Sequence, residues 1–212
     1  MSLADPGFHS RERTLDLVRQ AQQQSPGADD ALVRRMSGRV YGLILLHMGP
    51  EVRRRCDPED VLQEVWGEAL RSLSGFDTGR GTPFGAWLAT LVRRTLARIA
   101  DGRRLEEPES QLASPASSRA LLAQVLADSV PASPSMELSR RETVERLVAA
   151  IGRLPGEQRE VAVAYWLEEC TAEDVAQRLG KTRTNIYVMI TRIGKVLADA
   201  LQDAGGSDPA RW

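Results

Sequence analysis

The spacing of apolar residues along the chain is helical almost throughout. In the first clear segment, apolar residues recur every three to four positions after an acidic pair at 29–30: Leu32, Met36, Val40 and Leu43. This period predicts a helix that begins near the acidic pair. No run of alternating apolar and polar residues predicts a strand. The pattern as a whole therefore predicts an all-α fold.

Two more helices are predicted in the N-terminal half. One opens at Asp57, a residue type that caps helices, with Pro58 at the first helical position, and it continues to about Leu73. The other opens at Thr82–Pro83 and carries an apolar stripe as far as Ile99. The segment between them, 75–82, is rich in turn-forming residues and predicts a loop.

The C-terminal part of the sequence predicts a helix-turn-helix. A helix around 144–151 and a second one from Leu154–Pro155 to about Glu168 precede the capping box Thr171–Asp174, which opens a short third helix. That helix ends at Gly180, and a longer amphipathic helix follows with a buried stripe made of Ile186, Ile190, Ile193, Leu197 and Leu201. A short helix, a glycine-containing turn and a longer helix are typical of DNA-binding proteins.

The outer face of the last helix carries candidate DNA-binding side chains. At 100° per residue, the positions opposite the buried stripe are Thr184, Val188, Thr191 and Lys195, and those on its flanks are Asn185, Tyr187 and Arg192. In a major groove, Asn pairs well with adenine, and Arg with guanine or phosphate.

Composition divides the chain into two units. Four prolines fall between residues 106 and 135. The local charge also changes sign at the start of this segment, because 87–104 holds five arginines against one aspartate, whereas 105–139 holds five acidic residues against one arginine. We therefore predict two small helical domains, 14–104 and 137–202, joined by a flexible linker at 105–136.

The chain has 212 residues and a net charge of −1. Its content of cysteine, histidine and short motifs argues against several classes of function. Two cysteines far apart and two histidines argue against a disulfide scaffold and a zinc site, and no phosphate-binding loop or nucleophile elbow appears. We expect no metal, no cofactor and no enzymatic activity. The longest apolar stretch, 40–48, is far shorter than the roughly 20 residues of a membrane span, and the polar N-terminus lacks a secretory signal. We expect a cytoplasmic protein without membrane insertion.

Three segments ahead of the helix-turn-helix carry a specific resemblance. They are DPEDVLQEVW at 57–66, FGAWL at 84–88 and LPGEQRE at 154–160. In this order the chain resembles an extracytoplasmic-function (ECF) sigma factor of the sigma-70 family, with sigma region 2 in the first domain and region 4 in the second. The resemblance implies a bacterial transcription initiation factor that binds core RNA polymerase, recognises the minus-ten and minus-thirty-five promoter elements and assists DNA melting.

The resemblance also implies residue roles in the first domain. The positions matching the helix that docks on the β′ clamp helices of polymerase are Asp57, Asp60, Gln63 and Glu64, and we expect Gln63 and Glu64 to be exposed. For Asp57 and Asp60, helix capping is the competing interpretation. The positions matching the minus-ten DNA surface are Asp77, Thr78, Arg80, Trp87, Thr90, Arg93, Arg94 and Arg98. The family commonly has Asn and Asp where Arg94 and Arg98 stand, so its base contacts do not transfer to them.

In the second domain, the resemblance assigns minus-thirty-five recognition to the last helix, through Arg183, Thr184, Asn185, Tyr187, Val188, Thr191, Arg192 and Lys195. Tyr187 and Met189 stand where the family is usually basic. The implied partners are the β′ clamp helices and β flap of polymerase, promoter DNA and, as a further candidate, an anti-sigma factor. We expect the free protein to be a monomer.

Two other function classes compete with this hypothesis. A stand-alone helix-turn-helix regulator would have a similar C-terminal domain but no need for the helices at 57–66 and 84–99. An enzyme acting on nucleic acid would need clustered carboxylates or a metal site. The three classes differ in their dependence on core polymerase. A sigma factor transcribes from specific promoters only with core polymerase, a stand-alone regulator binds its operator without it, and an enzyme turns over its substrate without it.

Overall fold

The computed structural model describes residues 6–102 and 134–202, with side chains placed for 10–102 and 141–201. Its helices in chain order are α1 (Pro6–Gln22), α2 (Ala28–His47), α3 (Pro50–Arg53), α4 (Pro58–Ser72), α5 (Phe84–Ala100), α6 (Pro134–Arg153), α7 (Gly156–Ala162), α8 (Ala172–Leu179) and α9 (Arg183–Gln202). A 3-10 turn, Leu73–Gly75, extends α4, and a π-helical turn, Val163–Leu167, extends α7. No strand occurs within these ranges, and the predicted all-α fold is confirmed.

Helices α1 to α5 form an N-terminal bundle around a common apolar core. Leu32, Met36, Phe84 and Leu88 are fully buried in it. The predicted start of α4 is confirmed: Pro58 is its first residue, and Asp57 and Asp60 form a reciprocal capping box. Helix α1 was not predicted. Its buried Val18 adds to the core, although most of its residues are polar.

Helices α6 to α9 form a C-terminal unit that ends in the predicted helix-turn-helix. The Thr171–Asp174 capping box opens α8, and Gly180 closes it with φ +62°, a conformation in which a side chain would be strained. The apolar stripe of α9 is buried through Ile186, Ile193 and Leu197. Helix α7 begins at Gly156, close to the predicted start, but it ends at Ala162, and the π-helical turn continues it to Leu167.

The two units pack directly on each other. Helix α2 lies against α6 and the π-helical turn, and a Cβ added to Gly42 would lie 3.4 Å from Leu167 Cδ2 and 3.6 Å from Val148 Cγ2. Arg141 of α6 forms an ion pair at 2.6 Å with Glu59 of α4 and lies over the Tyr41 ring. Burial, followed by the charge of Glu59, raises the pKa of the Tyr41 hydroxyl to about 12.

The predicted linker, 105–136, lies outside the described residues except for its last three, which form the start of α6. Among the helices of residues 6–102 and 134–202, none combines the length and apolar character that crossing a membrane requires.

Candidate functional site

The N-cap and the first two turns of α4 present three of the four residues predicted to bind polymerase. Asp57, Asp60 and Gln63 are exposed. One carboxylate oxygen of Asp60 accepts a hydrogen bond of 3.3 Å from the Asp57 backbone N–H, so both aspartates also act as caps. Gln63 has no capping role and lies on the solvent-facing side of the helix.

The fourth residue, Glu64, is in a different position from the one expected. We predicted it to be exposed, but only 8 % of its surface is accessible, and its carboxylate accepts a 2.5 Å hydrogen bond from Arg98 of α5. The prediction of exposure is wrong because α5 packs against this flank of α4. Glu68, one turn further along, lies 4.0 Å from Arg98 and 3.8 Å from Arg94.

An aromatic cluster closes the loop between α4 and α5. Ring centroids of Phe76, Phe84 and Trp87 lie 5.2 to 5.4 Å apart, with Phe76 edge-on to Phe84 and Trp87 stacked on Phe84. The Gln22 amide of α1 donates hydrogen bonds to the Leu73 and Phe76 carbonyls at 2.9 and 2.7 Å. The base of the loop is therefore fixed to the bundle.

The tip of this loop carries the predicted residues Asp77, Thr78 and Arg80. Asp77 accepts a 2.8 Å hydrogen bond from the Gly79 backbone N–H and lies 3.7 Å from Arg80, and both charged side chains are exposed. Gly81 follows with φ +73°, which favours glycine at this position.

Trp87, Thr90 and Arg94 share one face of α5 because they are three and four residues apart. Trp87 is half-buried, whereas Thr90 and Arg94 are exposed. Arg93 is exposed beside this face, donates a hydrogen bond to the Thr90 hydroxyl and lies 3.5 Å from Glu168 of the C-terminal unit. The predicted minus-ten residues of α5 therefore fall into two groups. Trp87, Thr90 and Arg94 lie on one open face, whereas Arg93 and Arg98 contact the buried carboxylates of Glu168 and Glu64.

Helix α9 presents its outer face to solvent. The exposed residues are Arg183, Thr184, Asn185, Val188, Thr191, Arg192 and Lys195. The Asn185 backbone N–H donates a 3.3 Å hydrogen bond to the Thr182 hydroxyl, which leaves the capping role to Thr182. Tyr187 is half-buried, and its hydroxyl accepts a 3.0 Å hydrogen bond from Arg183. All the residues predicted to meet the minus-thirty-five element thus lie on one accessible helix.

A buried acidic pair that was not predicted from the sequence lies at the contact between the two units. Glu168 and Glu169 follow the π-helical turn and are 5 % and 2 % exposed. The Glu169 carboxylate accepts 3.0 Å hydrogen bonds from Ser10 and Thr14 of α1. Adjacent glutamates usually indicate surface, so no pattern in the sequence signals this pair.

Arginines surround the acidic pair. Arg35 and Arg39 of α2 lie 3.9 and 3.7 Å from Glu169, and Arg178 of α8 lies 2.7 Å from Glu168. Burial lowers the pKa of the Arg39 guanidinium, and the charge of Glu169 opposes that shift. Burial also raises the pKa of the neighbouring Cys170 thiol to about 12, so this cysteine is held as an unreactive thiol.

Residues 32–104 match the sigma-70 region 2 family. The chain is 28% identical over 193 residues to the ECF RNA polymerase sigma factor BldN of Streptomyces coelicolor, covering 90% of this chain and 67% of BldN. It is 31% identical over 175 residues to the ECF RNA polymerase sigma factor SigK of Mycobacterium sp. strain KMS, covering 80% and 81% of the two chains. A similar solved structure is CnrH in complex with the cytosolic domain of CnrY, with 20% identity, a TM-score of 0.42 and coverage of 90% and 97%.

Proposed function

Because this chain belongs to the ECF RNA polymerase sigma factors of the sigma-70 family, which direct core polymerase to specific promoters and assist DNA melting, we propose that its two units divide promoter recognition between them. The N-terminal bundle binds polymerase and the minus-ten element, and the C-terminal unit binds the minus-thirty-five element. Sigma factors are non-catalytic initiation factors, and this chain acts as one on polymerase in the cytoplasm.

Polymerase binding is assigned to the N-terminal end of α4. The exposed set Asp57, Asp60 and Gln63 supports this assignment, because an acidic and amide surface complements basic partner residues. Glu64 is left out, since its carboxylate is engaged by Arg98. We assign the partner surface to the β′ clamp helices of core polymerase, and a contact of the C-terminal unit to the β flap.

The minus-ten element is assigned to the loop 75–83 and the outer face of α5. Extruding a base from duplex DNA costs a few kcal/mol, which stacking on an aromatic side chain offsets by about 1–3 kcal/mol. The half-buried Trp87, stacked on Phe84 and flanked by Thr90 and Arg94, supports this assignment. Arg94 would supply charge toward a phosphate.

The minus-thirty-five element is assigned to α9. The main support for the whole proposal is the solvent-accessible face of this helix, which follows the turn at Gly180. With its N-terminus in a major groove, Thr184, Asn185 and Val188 lie nearest the bases. Arg192 and Lys195 then lie nearer the phosphates. An anti-sigma factor as a further partner stays a prediction of the family resemblance.

Genome-wide run-off transcription tests the proposed function. Fragmented genomic DNA is transcribed by bacterial core RNA polymerase with and without the protein, and the 5′ ends of the transcripts are mapped. We expect a defined set of start sites, sharing two upstream elements, only when core enzyme and protein are both present. Sequence-specific DNA binding by the protein alone, with no new start sites in the presence of core enzyme, would instead identify a stand-alone regulator.

A further inference from the structure

Arg183 and Tyr187 form a stacked pair at the start of α9. The guanidinium carbon of Arg183 lies over the Tyr187 ring, 5.3 Å from the ring centroid, and one guanidinium N–H donates a 3.0 Å hydrogen bond to the Tyr187 hydroxyl. Arginine favours this arrangement, because the face of an aromatic ring attracts a cation and a planar guanidinium stacks on it. Two different contacts with one tyrosine therefore define where the Arg183 guanidinium lies.

The Tyr187 ring is a rigid platform for this contact. It is half-buried and packs against the apolar core, whereas its neighbour Val188 is exposed. A tyrosine side chain has only two torsions to fix, so its ring is held at a low cost in conformational entropy. Tyr187 therefore contacts the core on one side and the Arg183 cation on the other.

The pair lies at the end of α9 that the proposed function places in the major groove. Arg183 is the first residue of the helix and is exposed, and Thr184 and Asn185 follow it directly. Recognition helices contact base edges with their N-terminal residues. The stack therefore holds a guanidinium where the helix meets the bases.

The stacked geometry suits a base contact. A guanidinium stacks through its face, whereas its N–H donors lie in its plane and point outward from its edge. Guanine presents two acceptors, N7 and O6, in the major groove, and the edge of one guanidinium pairs with both. A side chain held in one orientation before binding loses less entropy on forming such a contact. A phosphate offers acceptors in several directions, so a contact with it gains less from a fixed orientation.

We propose that Tyr187 is a positioning residue for base recognition: it holds the Arg183 guanidinium in the orientation that pairs with one guanine of the minus-thirty-five element. The inference rests on the proposed function, since that function places α9 in the major groove. Arg183 is the residue that determines specificity, and Tyr187 acts through it without touching the base.

Arginine side-chain NMR of the free, full-length protein tests the positioning step. The nitrogen–proton heteronuclear Overhauser effect of the Arg183 Nε–H group reports its motion on the picosecond-to-nanosecond timescale. Tyr187→Leu removes the ring, and we expect the effect to fall. Tyr187→Phe keeps the ring and should retain most of it. Arg153, exposed at the end of α6, is the control and should not change. An unchanged Arg183 signal in Tyr187→Leu would overturn the inference.

Selection from a promoter library randomised in the upstream element tests the base contact, with holoenzyme made from core polymerase and the full-length protein. We expect the unmodified protein to select guanine at one position. Arg183→Lys keeps the charge but loses the planar fork, and it should lower that preference about tenfold and leave the other positions unchanged. Tyr187→Leu should lower the same preference by a smaller factor, and Tyr187→Phe should retain most of it. Arg192→Lys, the same change at a position assigned to phosphate, should leave the guanine preference intact.

The double variant Arg183→Lys/Tyr187→Leu distinguishes positioning from a direct contact by Tyr187. If Tyr187 acts through Arg183, the double variant loses no more guanine preference than Arg183→Lys alone. Additive losses would overturn the inference. A loss in Arg183→Lys that is equal at all positions and lowers the slope of log K against log salt would show a phosphate contact, and it would also overturn the inference.

Failure of the proposed function would look different. The unmodified protein and core polymerase would then give no start sites that share an upstream element, which would overturn the function and the inference together. Failure of the inference alone leaves those start sites in place, with an upstream preference that does not depend on Arg183. Arg183→Lys changes an exposed side chain, so this comparison holds even where Tyr187→Leu lowers the stability of the C-terminal unit.

Discussion

The guanidinium of Arg98 donates a 2.5 Å hydrogen bond to the carboxylate of Glu64, joining α5 to α4 across a buried flank of the N-terminal bundle. The family resemblance had assigned these two residues to different surfaces, one to polymerase and one to DNA. Their pairing gives both a structural role, because a buried carboxylate without a partner would carry a large desolvation penalty. Arg94, one turn earlier, is 70% exposed and lies 3.8 Å from Glu68.

The first prediction compares these two arginines. Arg98→Ala leaves the buried Glu64 carboxylate unpaired, and we expect the free energy of unfolding to fall by about 1–3 kcal/mol. Arg94→Ala removes an exposed ion pair and should cost about 0–1 kcal/mol. Urea denaturation followed by circular dichroism measures both. Equal losses in the two variants would contradict the structural role of Arg98, and Arg98→Ala/Glu64→Leu should recover part of its loss.

The capping boxes and the Glu64–Arg98 pair show what the sequence could and could not reveal. The starts of α4 and α8 were predictable because Asp57–Asp60 and Thr171–Asp174 act within one helical turn. The burial of Glu64, Glu168 and Glu169 depends on which distant helix packs above them, and nothing local encodes it. Helix α1 was not predicted for a related reason. Most of its residues are polar, so its narrow buried face around Val18 gives only a weak apolar pattern.

The second prediction concerns the polymerase surface on α4. Gln63→Arg introduces a positive charge at an exposed position that is not used for capping, and we expect loss of co-purification with core polymerase at unchanged thermal stability. Ser74→Arg, an exposed site just beyond the end of α4, is the matched control and should bind core enzyme normally. Normal binding by Gln63→Arg would remove Gln63 from the interface.

The third prediction concerns the close approach of α5 to the C-terminal unit. Gly85→Ala forces a Cβ against the Glu168 backbone, whereas Gly152→Ala in α6 meets no atom within 4 Å. Alanine stabilises a helix relative to glycine by up to about 0.5–1 kcal/mol, and Gly152 is exposed in the last turn of α6, so Gly152→Ala should raise the melting temperature slightly. Gly85→Ala should lower it by a few degrees, since a loss of 1 kcal/mol shifts Tm by about 2–4 °C in a chain of this size. A rise in both variants, seen by differential scanning calorimetry, would show that the two units do not touch at Gly85.

The fourth prediction is a loss of stability at alkaline pH. The pKa of Cys170 is raised from 9.0 to about 12 in the folded protein, chiefly by burial, so the folded state holds this proton more tightly than the unfolded state. The stabilisation is complete below about pH 9 and is lost as the pH rises from there toward 12, with a slope of up to about 1.4 kcal/mol per pH unit.

Urea unfolding at pH 8, 9 and 10.5 should show this fall in the free energy of unfolding. Cys170→Ala should flatten it, and Cys56→Ala, at a half-buried site, should retain most of it. An identical slope in Cys170→Ala would assign the pH dependence to another group, such as Tyr41.

The fifth prediction separates base recognition from phosphate contact on α9. Asn185 is exposed in the first turn, and the capping hydroxyl comes from Thr182, so Asn185→Ala should leave helix stability nearly unchanged. If Asn185 meets a base edge, its loss costs about 1–3 kcal/mol at one base pair of the upstream element and leaves other positions unaffected. Lys195, exposed nearly three turns further along α9 on the side opposite the buried stripe, should behave differently: Lys195→Ala weakens all promoters alike and lowers the slope of log K against log salt by about one. Selection of active sequences from a promoter library with the reconstituted holoenzyme, repeated at two salt concentrations, measures both effects. An unchanged upstream preference in Asn185→Ala would exclude Asn185 from base recognition, and a base-specific change in Lys195→Ala would mean that α9 enters the groove in another orientation.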